Sequence, residues 1–313
     1  MRWLRPFHPQ RPWPSWRRKL EQFQAARSDG FGPDMKFSII TPSFRSARWL
    51  KLCIPSVADQ DMEHEHIVQD CCSDDGTQEW LPKDPRVKAF IEKDQGMYDA
   101  VNRGLRRASG EILAYLNCDE QLLPGALQKV DDYFRANPGI EAVFADTVIT
   151  DSKGDYLCTR QAALPHKYHI MVCCNLGVLT CALFFRRSLL ERHGLFFNAQ
   201  LKDIGDADWV LRALELKIPM GWLNALTSVF TETGANMNLR PNARREVKEL
   251  YGSAPLWARR SRWFFLLQHR LRRLVAGHYR LQPFRYALYT EDSPQARIIK
   301  QVEKPAFRWR RGI

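Results

Sequence analysis

No stretch of this chain approaches the roughly eighteen uninterrupted apolar residues that a membrane-spanning helix needs, so its 313 residues are not expected to form an integral membrane protein. The basic opening run, residues 1–20, lacks the apolar centre and small-residue cleavage site of a secretory signal. A cytoplasmic location is the expectation. The eight cysteines lack the two-by-two spacing of a zinc site, and four of them fall in the adjacent pairs Cys71-Cys72 and Cys173-Cys174. They read as reduced thiols that pack rather than ligate. Internal repeats are also lacking. What remains is an ordinary globular composition, 45% apolar, with enough length for one large α/β domain or two smaller ones.

Charge is present in excess but unevenly. Residues 241–313 carry seventeen basic against five acidic side chains, and residues 1–34 seven against three, whereas residues 35–240 are net acidic at twenty-three against twenty-seven. The net +12 therefore belongs to the two ends. Cationic extensions on a mildly acidic core point to an anionic partner surface, most simply the inner leaflet of a membrane. Nucleic acid would exert the same attraction, and charge by itself does not separate the two.

The chain divides accordingly into a basic arm over 1–34, a domain over 35–240 and a basic amphipathic helical extension over 241–313. In the domain, short β-rich runs at 37–41, 66–69, 87–91 and 112–116 read as buried parallel strands, and Thr41, Asp70, Asp94 and Asp119 follow their ends. A helix is expected through Trp49, Leu50, Cys53 and Val57, kinked or shortened by Pro55. Further helices are expected over 124–134 and 206–216, a strand at 142–145 and a hairpin turn at 151–155. In the extension, residues 257–275 place Phe264, Leu267, Leu271 and Leu274 on one helical side and Arg259, Arg262, Arg270 and Arg273 on another. Two readings fit that pattern: a helix lying in a membrane interface, or one packed on the domain with its arginines in water.

The organising stretch is residues 94–120, in which an acidic turn leads into a helix and then a strand that ends at Asn117-Cys118-Asp119-Glu120. In open α/β sheets ligands collect beyond the carboxyl ends of the strands. Paired carboxylates there suit a hard cation, Mg²⁺ or Mn²⁺, that can neutralise a diphosphate.

The stretch, with its Asp94-Gln95-Gly96-Met97-Tyr98-Asp99-Ala100 start and its Asn102-Arg103-Gly104 continuation, resembles the donor-site segment of family 2 glycosyltransferases. Ser38-Ile39-Ile40-Thr41-Pro42, Asp70 with Ser73-Asp74-Asp75-Gly76-Thr77, Phe184-Phe185-Arg186-Arg187 and Asp206-Ala207-Asp208-Trp209 extend the resemblance over residues 36–240. It implies a GT-A fold: a Rossmann-like, mixed, mostly parallel sheet flanked by helices. It implies that Thr41, Asp70, Asp94 and Asp119 bind a nucleoside-diphosphate sugar donor, with Asp70 on the base. It further implies that Asp119, supported by Glu120, ligates a divalent metal, and that Asp206 is the general base of an inverting transfer, with Asp208 as the alternative. Departures are Cys71-Cys72 where glycines are common, Cys118 and Glu120 in the acidic motif, and Gly205 where an acid often stands. The Gln-x-x-Arg-Trp motif of processive synthases is missing, so transfer of a single sugar is expected, to a saccharide or lipid-linked acceptor.

Two other readings remain. A sugar nucleotidyltransferase would need a glycine-rich, lysine-bearing phosphate loop, which Thr41-Pro42-Ser43-Phe44 does not supply. A non-catalytic adaptor would keep the fold and use the basic ends for membrane or nucleic acid, but the intact Asp70, Asp119 and Asp206 argue against it.

Overall fold

The computed structural model describes residues 37–234 and 241–308; the expected basic arm and the Trp309-Arg310-Arg311 end lie outside them. The chain opens on strand β1 (Phe37–Ser43), helix α1 (Ala47–Ala58) and strand β2 (His64–Asp70). A short helix α2 (Thr77–Trp80), strand β3 (Lys88–Ile91), helix α3 (Met97–Arg107) and strand β4 (Ile112–Tyr115) follow. Strands β3-β2-β1-β4 form the parallel core that the sequence pattern predicts. All but one of the β1 residues are buried, because helices cover both of its faces. Pro42 is tolerated in so central a strand because the β1–β4 ladder stops at Ile40 and Tyr115, short of its missing N–H. Helix α1 runs through Pro55 and ends three residues later.

Beyond β4 the sheet becomes mixed. It continues through β5 (Glu120–Leu122), helix α4 (Ala126–Ala136), β6 (Ala142–Asp151), β7 (Tyr156–Arg160), helix α5 (Lys167–Cys173), β8 (Leu183–Arg186) and helix α6 (Ser188–His193). Helix α7 (Gly205–Glu215) and β9 (Met220–Glu232) complete it. The spatial order is β3-β2-β1-β4-β8-β6-β9-β5, with β7 on β6 as the expected hairpin. Strand β8 is antiparallel to both β4 and β6, while β6 and β9 run parallel. Neighbouring residues of each strand feed opposite cores, as the two-residue repeat requires. Ile40, Leu113, Phe144 and Phe185 join Trp209 of α7 on one face, whereas Ile39, Ala114, Val143 and Phe184 join Leu127 and Phe134 of α4 on the other.

The extension is helical only as far as Val275. After α8 (Pro241–Ser253), the helix expected over 257–275 is two helices, α9 (Leu256–Arg260) and α10 (Arg262–Val275), divided at Ser261. Strands β10 (Phe284–Thr290) and β11 (Ser293–Val302) then form an antiparallel hairpin where the sequence reading expects helix. The reason is the two-residue spacing of Phe284, Tyr286 and Leu288, which pack with Val148 and Val229 of the sheet. Gln121 clasps the backbone of Tyr289 with two hydrogen bonds of 2.8 and 2.9 Å.

Helix α3 lies unusually close to β1. A Cβ at Gly104 would stand 2.4 Å from Ile40 Cγ2, inside the packed core. Gly104→Ala should therefore lower stability by about 1–3 kcal/mol through overpacking, despite alanine's better helix propensity. Denaturant unfolding checks this: a higher midpoint in the variant would show that the contact relaxes freely.

Candidate active site

The ends of β1, β2, β3 and β4 meet at one edge, and the sequence-predicted residues gather there with different surroundings. Asp70 closes β2, fully buried. Its carboxylate accepts the hydroxyls of Ser43 and Ser73, at 2.9 and 2.7 Å, and the Ser73 N–H at 2.8 Å. Three neutral donors thus hold the turn that follows it. In that turn Cys72 adopts φ 52°, a left-handed conformation that is strained for a residue with a side chain. Cys71 takes the Asp94 N–H on its sulfur at 3.4 Å, tying the ends of β2 and β3 together. Asp94 in turn accepts the N–H of Gly96 at 2.8 Å. Thr41 lies in the same region, but its side chain is turned into the core, where its hydroxyl pairs with His66 Nε2 at 2.8 Å.

Asp119 and Glu120 follow β4. Glu120 is buried and accepts the Asn117 N–H at 2.7 Å. Burial pushes both carboxyls above their usual range, and the charge of Asp119 pushes Glu120 further. No Lys or Arg among the described residues forms an ion pair with either, so the place is short of positive charge. That donor set fits a hard divalent cation. Among the described residues no set of three or more acidic, histidine or cysteine ligands assembles. A cation here would complete its shell with phosphate oxygens and water.

Asp206 begins α7. Its backbone N–H bonds to the Tyr98 hydroxyl at 3.2 Å, and its carboxylate accepts the next N–H, of Ala207, at 2.8 Å. The helix dipole favours its charge, yet burial dominates and raises its pKa to about 6. Asp208, by contrast, is paired with Arg212 at 2.8 Å along the helix. The Asp206 charge reaches both Tyr98 and Tyr115, and Tyr115 also lies in the field of Glu120. Tyr115, the last residue of β4, thus lies within electrostatic reach of both acidic groups.

The 94–104 motif is mainly scaffolding for this arrangement. The Asn102 side chain exchanges two hydrogen bonds, of 2.8 and 2.9 Å, with the backbone of Phe197, anchoring the loop that leads to Asp206. Lys202 donates to the Gln95 carbonyl across the same gap. Gly205 lies against Tyr98, whose ring would be 2.6 Å from a Cβ there, which explains the glycine where an acid was expected. Sequence reasoning left Tyr98, Tyr115 and Asn102 without roles, because at helical or strand spacing they look like packing residues. Phe184 and Phe185 are core, and Arg186 pairs with Glu111 at 2.9 Å over the ring of Phe134.

Residues 38–194 match the family model described as glycosyl transferase family 2. A PGL/p-HBAD biosynthesis glycosyltransferase of Mycobacterium bovis is 31% identical over 187 residues, 56% of this chain and 68% of that protein. The GalNAc(5)-diNAcBac-PP-undecaprenol beta-1,3-glucosyltransferase of Campylobacter jejuni is 36% identical over 121 residues, 36% of this chain. A putative teichuronic acid biosynthesis glycosyltransferase of Bacillus subtilis is 35% identical over 98 residues, 29% of this chain. The chain spans only 38% and 39% of the length of the last two. Among solved structures, residues 1–349 of S. aureus TarS in complex with UDP-GlcNAc superpose with a TM-score of 0.54 at 18% identity, covering 77% of this chain and 73% of that one. The likeness establishes the mixed-sheet GT-A fold.

Beneath the site, burial lowers His66 from the ordinary 6.5 to about 3. Below pH 6.5 the unfolded chain binds a proton there that the folded chain refuses, so stability falls as pH drops from 6.5 toward 3. The buried His169 and His278 and the half-buried His269 are lowered as well and act in the same direction. Thermal unfolding across this range should show the decline, and His66→Gln should make it shallower. An unchanged slope in the variant would remove His66 from the account.

Proposed function

The chain belongs to glycosyl transferase family 2, and on that premise we propose that it transfers one sugar, with inversion, from a nucleoside-diphosphate donor to a saccharide or lipid-linked acceptor of a polysaccharide or glycolipid pathway. The observation that carries the reading is the carboxyl pair Asp119 and Glu120, set just past the end of β4 without a cationic partner among the described residues, with the base candidate Asp206 within electrostatic reach of Tyr115 on the same strand. In this reading Asp70, Asp94 and Thr41 shape the nucleotide end of the cleft. Asp119 and Glu120 hold a divalent cation, Mn²⁺ or Mg²⁺, which supplies Lewis-acid stabilisation of the departing diphosphate. Asp206 accepts the proton of the acceptor hydroxyl as its oxygen attacks the anomeric carbon from the face opposite the leaving group. Residues 35–240 form the catalytic unit and 241–313 its extension.

The outward face of the extension supports attachment to an anionic lipid surface. No helix among the described residues is long and apolar enough to cross a membrane. Yet α9 and α10 expose Trp257, Trp263 (67%), Leu267 (59%), Leu271 and Val275 (82%), beside the exposed Arg260, Arg262 and Arg270. Aromatic and aliphatic side chains ringed by arginines match the headgroup region of an anionic leaflet. An acceptor in that leaflet agrees with the diphosphate-lipid in the name of the Campylobacter relative.

Calorimetry with UDP, GDP, dTDP and CMP compounds should show binding of one nucleotide that requires Mn²⁺ and is lost in Asp119→Ala. Asp206→Asn should keep that binding while kcat falls by about 10²–10⁴-fold. The wild-type rate should rise as pH increases through about 6, where Asp206 ionises. Failure of a folded sample to bind any of these nucleotides would favour the adaptor reading. Flotation with vesicles containing phosphatidylglycerol should be lost in Trp263→Glu/Leu267→Glu and weakened by salt; flotation that survives both changes would place the contact elsewhere.

A further inference from the structure

The inner side and end of α10 hold buried basic side chains, several of whose nitrogens have no hydrogen-bond partner among the described residues. The helix ends in a Schellman turn. Gly277, at φ 75°, donates its N–H to the Leu274 carbonyl at 3.0 Å, and His278 donates its own to the Arg273 carbonyl at 2.9 Å. That pattern sets side chains 273 and 278 beside each other, at positions the motif commonly fills with an apolar pair. Here they are arginine and histidine, only 7% and 1% exposed. Among the described residues, Arg273 Nε and Nη2 and both ring nitrogens of His278 lack hydrogen-bond partners, as does Nε2 of the buried His169.

The neighbours of this group explain its shape without satisfying it. Arg273 stands over the Tyr279 ring at 5.8 Å, and the His278 ring meets Trp222 edge-on at 4.6 Å. His169 stacks on His269 of α10 at 4.1 Å. Asp146 lies within electrostatic reach of Arg273, but its Oδ1 already receives the Ala162 N–H and the Trp222 indole N–H, at 2.9 and 3.0 Å. Burial and the Arg273 charge keep His278 neutral near pH 7, its pKa lowered to about 4. A buried guanidinium short of acceptors is a costly element in any fold. An oxyanion with several acceptor oxygens removes that cost, and guanidinium matches phosphate in geometry. The adjoining Ala276 is exposed, so the turn that carries the group is at the surface, on the helix whose other side is apolar.

We infer that Arg273 and His278 bind the phosphate or diphosphate group of a lipid-linked acceptor, whose hydrocarbon lies along the exposed face of α10. This rests on the reading of the protein as a membrane-attached transferase and assigns that acceptor a second anchoring point, apart from the donor cleft.

The test is calorimetry of the whole chain in EDTA with inorganic pyrophosphate and with farnesyl diphosphate, on wild type and Arg273→Met/His278→Leu. The same samples are titrated with the nucleotide panel in Mn²⁺. Wild type should bind both diphosphates, the farnesyl compound at least tenfold tighter. The double variant, which restores an apolar pair to the turn, should unfold at the same temperature or higher, lose at least tenfold in affinity for both, and keep nucleotide binding. No diphosphate binding by wild type, or equal binding by the variant, overturns the site. Equal affinity of wild type for the two compounds overturns its assignment to a lipid. Loss of nucleotide binding in wild type with diphosphate binding intact would instead count against the transferase reading alone.

Discussion

The cleft depends on how closely helix α3 approaches its neighbours at two glycines. At Gly104 the helix meets Ile40 of β1 with no room for a Cβ, and at its other end Tyr98 meets Gly205 with as little. Between them Asn102 pins the loop at Phe197. One rigid helix thus sets the distance from the strand ends to the first turn of α7.

The negative charge of the site has to be balanced locally, and the chain does so in two ways. Asp70 is held by neutral donors, two serine hydroxyls and a backbone N–H, and so becomes part of the framework. Asp119 and Glu120 have no cationic partner among the described residues, and burial raises both. Neutral hydrogen bonds stabilise a carboxylate where it stands, whereas an unbalanced pair attracts a cation from solution. The division separates residues that build the cleft from those suited to act in it.

The extension follows a different logic. Helix α10 turns Phe265 and Arg273 toward the protein and most of its leucines toward solvent, the reverse of a helix that simply covers a core. It packs on the domain through Phe265 and also keeps an apolar surface exposed. The β-hairpin beyond it is fastened by Gln121 and by Arg297, which pairs with Asp59 at 2.6 Å.

The parallel core, the carboxylates at its strand ends and the family resemblance were all legible in the sequence, because a buried strand of four to seven residues and the turn that stops it are local patterns. Strand β9 and the terminal hairpin were not, since their pairing partners are distant and β9 shows no clean alternation of burial. The direction of the Thr41 hydroxyl, the closeness of Tyr98 to Asp206 and the burial of Arg273 were decided by tertiary structure alone. Each depends on which surface a neighbour from elsewhere in the chain presents. An amphipathic pattern defines two faces of a helix, but only the packed protein determines which of them is turned inward.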